Sequence, residues 1–176
     1  MESLRYRERI ALILHELGIP AEIVLERGLV LQPETSDLVL IAADEDGREY
    51  HLEPHAASAW FKMHEAAKAQ GIDFFVVSAF RSVDRQVEII QRKKLSGLSL
   101  EQILAVSAIP GYSEHHTGRA IDIGTEGCVS LEEAFEQTES FEWLVQYAKQ
   151  FGFIMSFPRN NIYGYQYEPW HWYYQG

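Results

Sequence analysis

The stretch IDFFVVSAFRSVDRQVEIIQRKK, residues 72–94, changes its hydrophobic period partway along. Ile72 to Ser78 is a short apolar run of the kind that forms a buried strand, and Val83, Val87 and Ile90 then recur at the spacing of one helical face. The reading is a strand, a tight loop holding Arg81 and Ser82, and a helix. Repeated along the chain, this unit would build a parallel α/β sheet, but the surrounding sequence does not repeat it.

Toward the C-terminus, Ser99 reads as the cap of a short helix through Leu104, and IPGY opens a loop. Arg119 to Gly124 alternates as a strand does, and Ser130 with Glu133 has the capping-box spacing. A helix is expected over Phe141 to Gln150, ending at Gly152, with two strand-like stretches after it. Toward the N-terminus, Pro54 suits the first position of a helix that runs to Gly71, with Trp60, Met63 and Ala67 on one face. Leu29 to Leu31, Leu38 to Ala43 and Glu49 to Leu52 read as short strands, separated by Pro33 and the DEDG turn of Asp44 to Gly47. Ile10, Ile13, Leu14 and Leu17 mark an amphipathic helix over residues 4–17 that Gly18 stops. Separated helices and strands without β-α-β alternation predict an α+β fold.

A chain of 176 residues buries about two-thirds of its unfolded surface and suits a single domain, residues 1–176. Its net charge of -11 argues against a protein that neutralises phosphates, so nucleic acid is not an expected partner. The Arg92, Lys93, Lys94 cluster reads as a solvated helix end. Cys128 is the one cysteine, which excludes an intramolecular disulfide and a CxxC metal or redox pair; it reads as a small buried or loop residue. No run approaches the roughly 20 apolar residues of a membrane span, and Ile10 to Leu14 is too short for a signal core. The chain as written is therefore expected in the cytoplasm, or in the periplasm or at the cell surface if a leader has been removed.

Three stretches concentrate reactive groups: SAFRSVDRQ (78–86), SEHHTGRAID (113–122) and YEPWHW (167–172). In the second, His115 or His116 with Asp122 supplies two donors of the kind a catalytic zinc site takes from three residues, and Gly118 permits the turn between them. His171 is a third donor. Glu168 shares its site only if the chain turns at Pro169, since residues three apart on a strand point to opposite faces. It then has the chemistry of a general base, the alternative being a solvated glutamate before a core tryptophan. Arg81 reads either as a clamp for a substrate carboxylate or oxyanion or as the partner of one of the 26 acidic residues. Seven of the twelve residues from Tyr163 to Tyr174 are aromatic, enough to pack a core and line part of a pocket. His15, His51, His55 and His64 lack such a context.

The order SAFRSVDRQ, GYSEHHTGRAIDIG, GFIMSFP and GYQYEPWHWYY closely resembles the VanY-type D-alanyl-D-alanine carboxypeptidases, zinc peptidases of bacterial cell-wall metabolism. The likeness runs from about Trp60 to the C-terminus and rests on S-x-H-x-x-G-x-A-x-D followed by E-P-W-H. It implies a small antiparallel sheet flanked by helices, with a zinc site in a cleft on the sheet. It further implies zinc on His115, Asp122 and His171, Glu168 as catalytic base, and Arg81 at the substrate and oxyanion. Ser82, Gln86, Ser113 and Trp170 fall at substrate-binding positions, and His116 at a variable one, which makes it a bystander on the cleft rim. The implied activity removes the C-terminal residue of peptidoglycan stem peptides or their precursors. L,D-carboxypeptidase or endopeptidase action on the same substrates, and a non-catalytic zinc-containing binding module, are the alternatives. Trp172, Asn160 and Asn161 depart from the family's usual residues, and residues 1–55 are an N-terminal portion of unrecognised role.

Overall fold

The computed structural model describes residues 2–176. Helices α1 (Glu2–Leu17) and α2 (Ala21–Glu26) are followed by strands β1 (Val39–Ala43) and β2 (Glu49–Leu52), which pair with each other antiparallel. Next come α3 (Pro54–Lys68), β3 (Phe75–Ser78), α4 (Val83–Leu95), α5 (Leu100–Ala105) and β4 (Ala120–Gly124). The chain ends with α6 (Glu139–Tyr147), β5 (Phe153–Met155) and β6 (His171–Tyr174). The main sheet is antiparallel in the order β3-β4-β6-β5. This is the expected α+β architecture. Among the described residues no helix is long and apolar enough to cross a membrane.

All five residues of β4 are buried, so both faces of this central strand are covered. Ile121 and Ile123 point to one face, where with Val76 and Trp172 they pack against Trp60 and Met63 of α3 and Trp143 and Leu144 of α6. Asp122 points the other way because neighbours alternate along a strand. Beyond that face a second core gathers Ile10, Leu14 and Leu17 of α1 with Val83 and Ile90 of α4 and Ile103 and Leu104 of α5.

Residues 29–37 join the two halves. The expected strand at Leu29 to Leu31 does not form. The segment runs as an extended strap whose backbone bonds to loops instead of to a strand: Gln32 N donates to Gly111 O (2.8 Å) and Thr35 N to His116 O (3.0 Å). Tyr6 of α1 donates its hydroxyl to Gln32 O, and Glu34 Oε1 accepts from Val83 N at 2.7 Å, capping the start of α4. The N-terminal portion thus packs against the loops beside the cleft.

Other differences are local. The strand expected from Ile72 begins at Phe75, itself 48% exposed, so this edge strand is not fully buried. Ser130 caps no helix: Leu131 takes a left-handed conformation (φ 62°), and a 3-10 turn, Glu133–Gln137, starts from Glu132. The last helix is shorter than expected, with a 3-10 turn, Ala148–Phe151, before Gly152. The helix starts at Pro54 and after Ser99 are as read, the first capped by Glu53 and the second by a capping box of Ser99 with Gln102, whereas α1 starts at Glu2, α6 at Glu139, and α2 was not expected.

Candidate metal centre

The sheet register brings the distant donors together. Asp122 on β4 lies directly opposite His171 on β6, although 49 residues separate them. His115 arrives on a 3-10 turn, Glu114–Thr117, which ends at Gly118 with φ 68°. A Cβ at Gly118 would lie 2.9 Å from Glu53 N and 3.0 Å from Thr35 Cγ2, so glycine answers both the positive φ and the close packing. The returning chain then enters β4 two residues before Asp122.

Asp122 Oδ1 is 2.8 Å from His171 Nδ1, and Asp122 Oδ2 is 3.2 Å from His115 Nε2. One donor atom from each residue lies within 4.8 Å of the other two, and all three residues are buried. The remote nitrogen of each ring is engaged. His115 Nδ1 meets Ala79 O at 2.7 Å, and His171 Nε2 meets Glu114 Oε2 at 2.9 Å. Both rings therefore turn their other nitrogen toward Asp122. Two nitrogens and one carboxylate form a donor set suited to zinc with an open fourth position.

The electrostatics are those of a cation site. Burial works to raise the Asp122 carboxyl, but the charge and hydrogen bonds of His115 and His171 prevail and hold it below the usual carboxylate range. Burial opposes charge on His171 as well, yet hydrogen bonds to Asp122 and Glu114 raise it to about 10. His115 has less carboxylate contact, and burial keeps it low.

Glu168 and His171 do share the site. Pro169 and Trp170 form a turn, His171 N donates to Glu168 O (3.1 Å), and Glu168 Oε2 comes 4.0 Å from His171 Nδ1. Burial pushes the Glu168 carboxyl up to about 7; Asp122 and Glu114 add to the rise, while His171 and Arg81 oppose it. These residues line a cavity of about 110 Å³ together with Arg81, Ser113 and Trp170.

Two expected substrate contacts lie elsewhere. The Ser82 hydroxyl accepts from Arg85 N at 3.1 Å as the N-cap of α4, and Ser82 does not line the cavity. Gln86 is fully buried; its Oε1 accepts from Arg81 Nη1 (3.0 Å) and its Nε2 donates to Ala108 O (2.7 Å), so it holds the arginine in place. His116 is not on the rim. It is completely buried, with Nδ1 2.6 Å from Arg81 O and Nε2 accepting from Gly111 N at 3.1 Å, and it ties the Arg81 segment to the loop before the histidines. Trp172 belongs to the core, and Asn161 knits its own loop through Pro158 O and Tyr165 O.

The sequence reading passed over Glu114, Phe157 and Leu131. Phe157 stacks on His171 (centroids 4.7 Å apart), and Leu131 reaches the cavity from its left-handed turn. Only the acidic character of Glu114, next to a candidate ligand, offered a signal.

The chain is similar to several known proteins. The family model described as VanY, D-alanyl-D-alanine carboxypeptidase, matches residues 49–176. The Bacillus subtilis protein YodJ is 37% identical over 150 residues, 81% of this chain and 55% of its own length. The chain spans about half the length of the first curated relatives it matches. Among solved structures, the LdcB LD-carboxypeptidase superposes with a TM-score of 0.72 at 36% identity, covering 84% of this chain and 72% of its own. A mutant of the D,D-pentapeptidase VanY from a VanB-type resistance cassette, in complex with Zn(II), gives a TM-score of 0.64 at 29% identity, covering 86% and 88%.

Proposed function

This chain belongs to the VanY D-alanyl-D-alanine carboxypeptidase family, and from that premise we propose that it is a zinc-dependent carboxypeptidase that removes the C-terminal D-alanine of peptidoglycan stem peptides or their precursors. The observation that carries the reading is the buried cluster of His115, Asp122 and His171, with a carboxyl near neutrality beside it. Those three residues would hold the zinc ion, which when bound supplies a Lewis acid and lowers the pKa of water to about 7.

The chain's own groups do the rest. Glu168 is the base that takes the proton from the attacking water and returns it to the leaving amine nitrogen. Arg81, oriented by Gln86, directs its remaining N–H groups to the substrate carboxylate or to the oxyanion formed at the scissile carbonyl. Ser113 and Trp170 line the same cavity, whose size suits a small terminal residue.

Cleavage at an L,D bond is the second reading. It is favoured by the likeness to LdcB, whose name records LD-carboxypeptidase activity. Tri-, tetra- and pentapeptide stems incubated with the zinc-loaded chain and followed by mass spectrometry separate the two. D-alanine release from the pentapeptide is expected, with Glu168→Ala slower by about 10²- to 10⁴-fold. Release from the tetrapeptide alone would favour the second reading. No release from any stem would leave a zinc-binding module without turnover, and a fully active Glu168→Ala would remove Glu168 as the base.

A further inference from the structure

Glu114 lies between Ser113 and His115 in the S-x-H pattern, and its carboxylate reaches across the cleft to His171. Oε2 lies 2.9 Å from Nε2, the ring nitrogen on the far side from Asp122. We propose that Glu114 is the positioning residue of the metal centre, accepting the Nε2 proton of His171 so that Nδ1 is left unprotonated and aimed at the metal. The inference rests on the zinc reading above.

Three observations carry it. A ligating histidine offers a lone pair from one nitrogen only when the other keeps the proton, so the partner of the remote nitrogen decides the tautomer. For His115 that partner is the carbonyl of Ala79, an acceptor only, which leaves Nε2 toward Asp122. For His171 it is the carboxylate of Glu114, also an acceptor only, which leaves Nδ1 toward Asp122. The two rings thus present opposite nitrogens to one point for the same reason.

The second observation is the division of the two cleft glutamates. Glu168 approaches His171 on the Nδ1 side, at 4.0 Å, whereas Glu114 is engaged on the Nε2 side. Both glutamates line the cavity, but Glu114 engages the ring nitrogen remote from Asp122. The third is local. Glu114 precedes His115 on the same 3-10 turn, so one turn delivers the first ligand and orients the last. Phe157, stacked on the His171 ring, resists rotation that would exchange the two nitrogens.

The test measures zinc affinity by competition with a chromogenic chelator for the wild-type chain, Glu114→Ala and Glu114→Gln. Loss of such a partner costs about 10- to 100-fold in metal affinity, and that loss is expected for Glu114→Ala. Glu114→Gln still accepts the Nε2 proton through its amide oxygen and is expected to recover most of the affinity. Wild-type affinity in Glu114→Ala would overturn the proposal, and so would equal weakening of both variants, which would point to charge and not orientation. A measurement on the unaltered zinc-loaded chain guards against misfolded variants. Nitrogen-15 spectra are expected to show His171 protonated at Nε2, and the opposite tautomer would contradict the proposal. If the wild-type chain takes up no zinc, it is the functional reading that fails.

Discussion

His115 and His116 are neighbours in sequence but have different jobs in the fold, and hydrogen bonding separates them. His115 keeps one nitrogen toward Asp122, whereas both nitrogens of His116 are occupied by backbone groups of Arg81 and Gly111. Residue types alone left the pair open, and only the motif's register selected His115. Glu168 is legible for a different reason: Pro169 signals the turn that the role requires. Its raised carboxyl also has a thermodynamic consequence. A carboxyl held at about 7 in the folded chain, against 4.5 ordinarily, binds its proton more tightly folded than unfolded. Its contribution to stability is therefore intact below about pH 4.5 and is lost as pH rises through about 7. Metal-free Glu168→Gln is expected to melt above the wild type at about pH 8 and level with it at about pH 4.5, each 1 kcal/mol appearing as roughly 2–4 °C. A difference that stays constant between those pH values, followed by thermal melts, would contradict this.

At the scale of elements, the alternating RAIDIG revealed β4, and the helix cap at Ser99 is as read, whereas Ser82, expected at the substrate, caps α4 instead. What sequence periodicity does not carry is pairing. Nothing local to Asp122 says that its neighbour across the sheet is His171, since register is set by long-range packing. The strap at residues 29–37 misleads for a related reason. Branched apolar residues favour strands, but here Leu29 and Leu31 pack against the α1/α4 core and the backbone bonds to loops. Glu34 is its anchor, held by Arg9 (2.9 Å) while it accepts from Val83 N. Glu34→Ala is expected to cost about 1–3 kcal/mol, a drop of roughly 2–4 °C per kcal/mol, because a helix-start N–H loses its charged acceptor. An unchanged melting temperature would show that the strap is not fastened there.

Across the whole molecule, the sheet places apolar residues of β4 on one core and Asp122 on the opposite face, toward the core built by α1, α4 and α5. The family match begins at residue 49, yet α1 and the strap supply part of that second core and brace the loop carrying His115. The fold class and the three candidate ligands were legible because composition, periodicity and a spaced motif carry them. The supporting contacts of Glu114, Gln86 and His116 were not, because each depends on chain segments that meet only in three dimensions. On the proposed reading, these segments converge on one zinc ion. Anomalous diffraction at the zinc edge, from crystals of the zinc-loaded chain, tests it most directly. One strong peak is expected about 2.0–2.2 Å from His115 Nε2, an Asp122 oxygen and His171 Nδ1, absent in His115→Ala and kept in His116→Ala. A peak bound elsewhere, or one that survives His115→Ala unchanged, would contradict it.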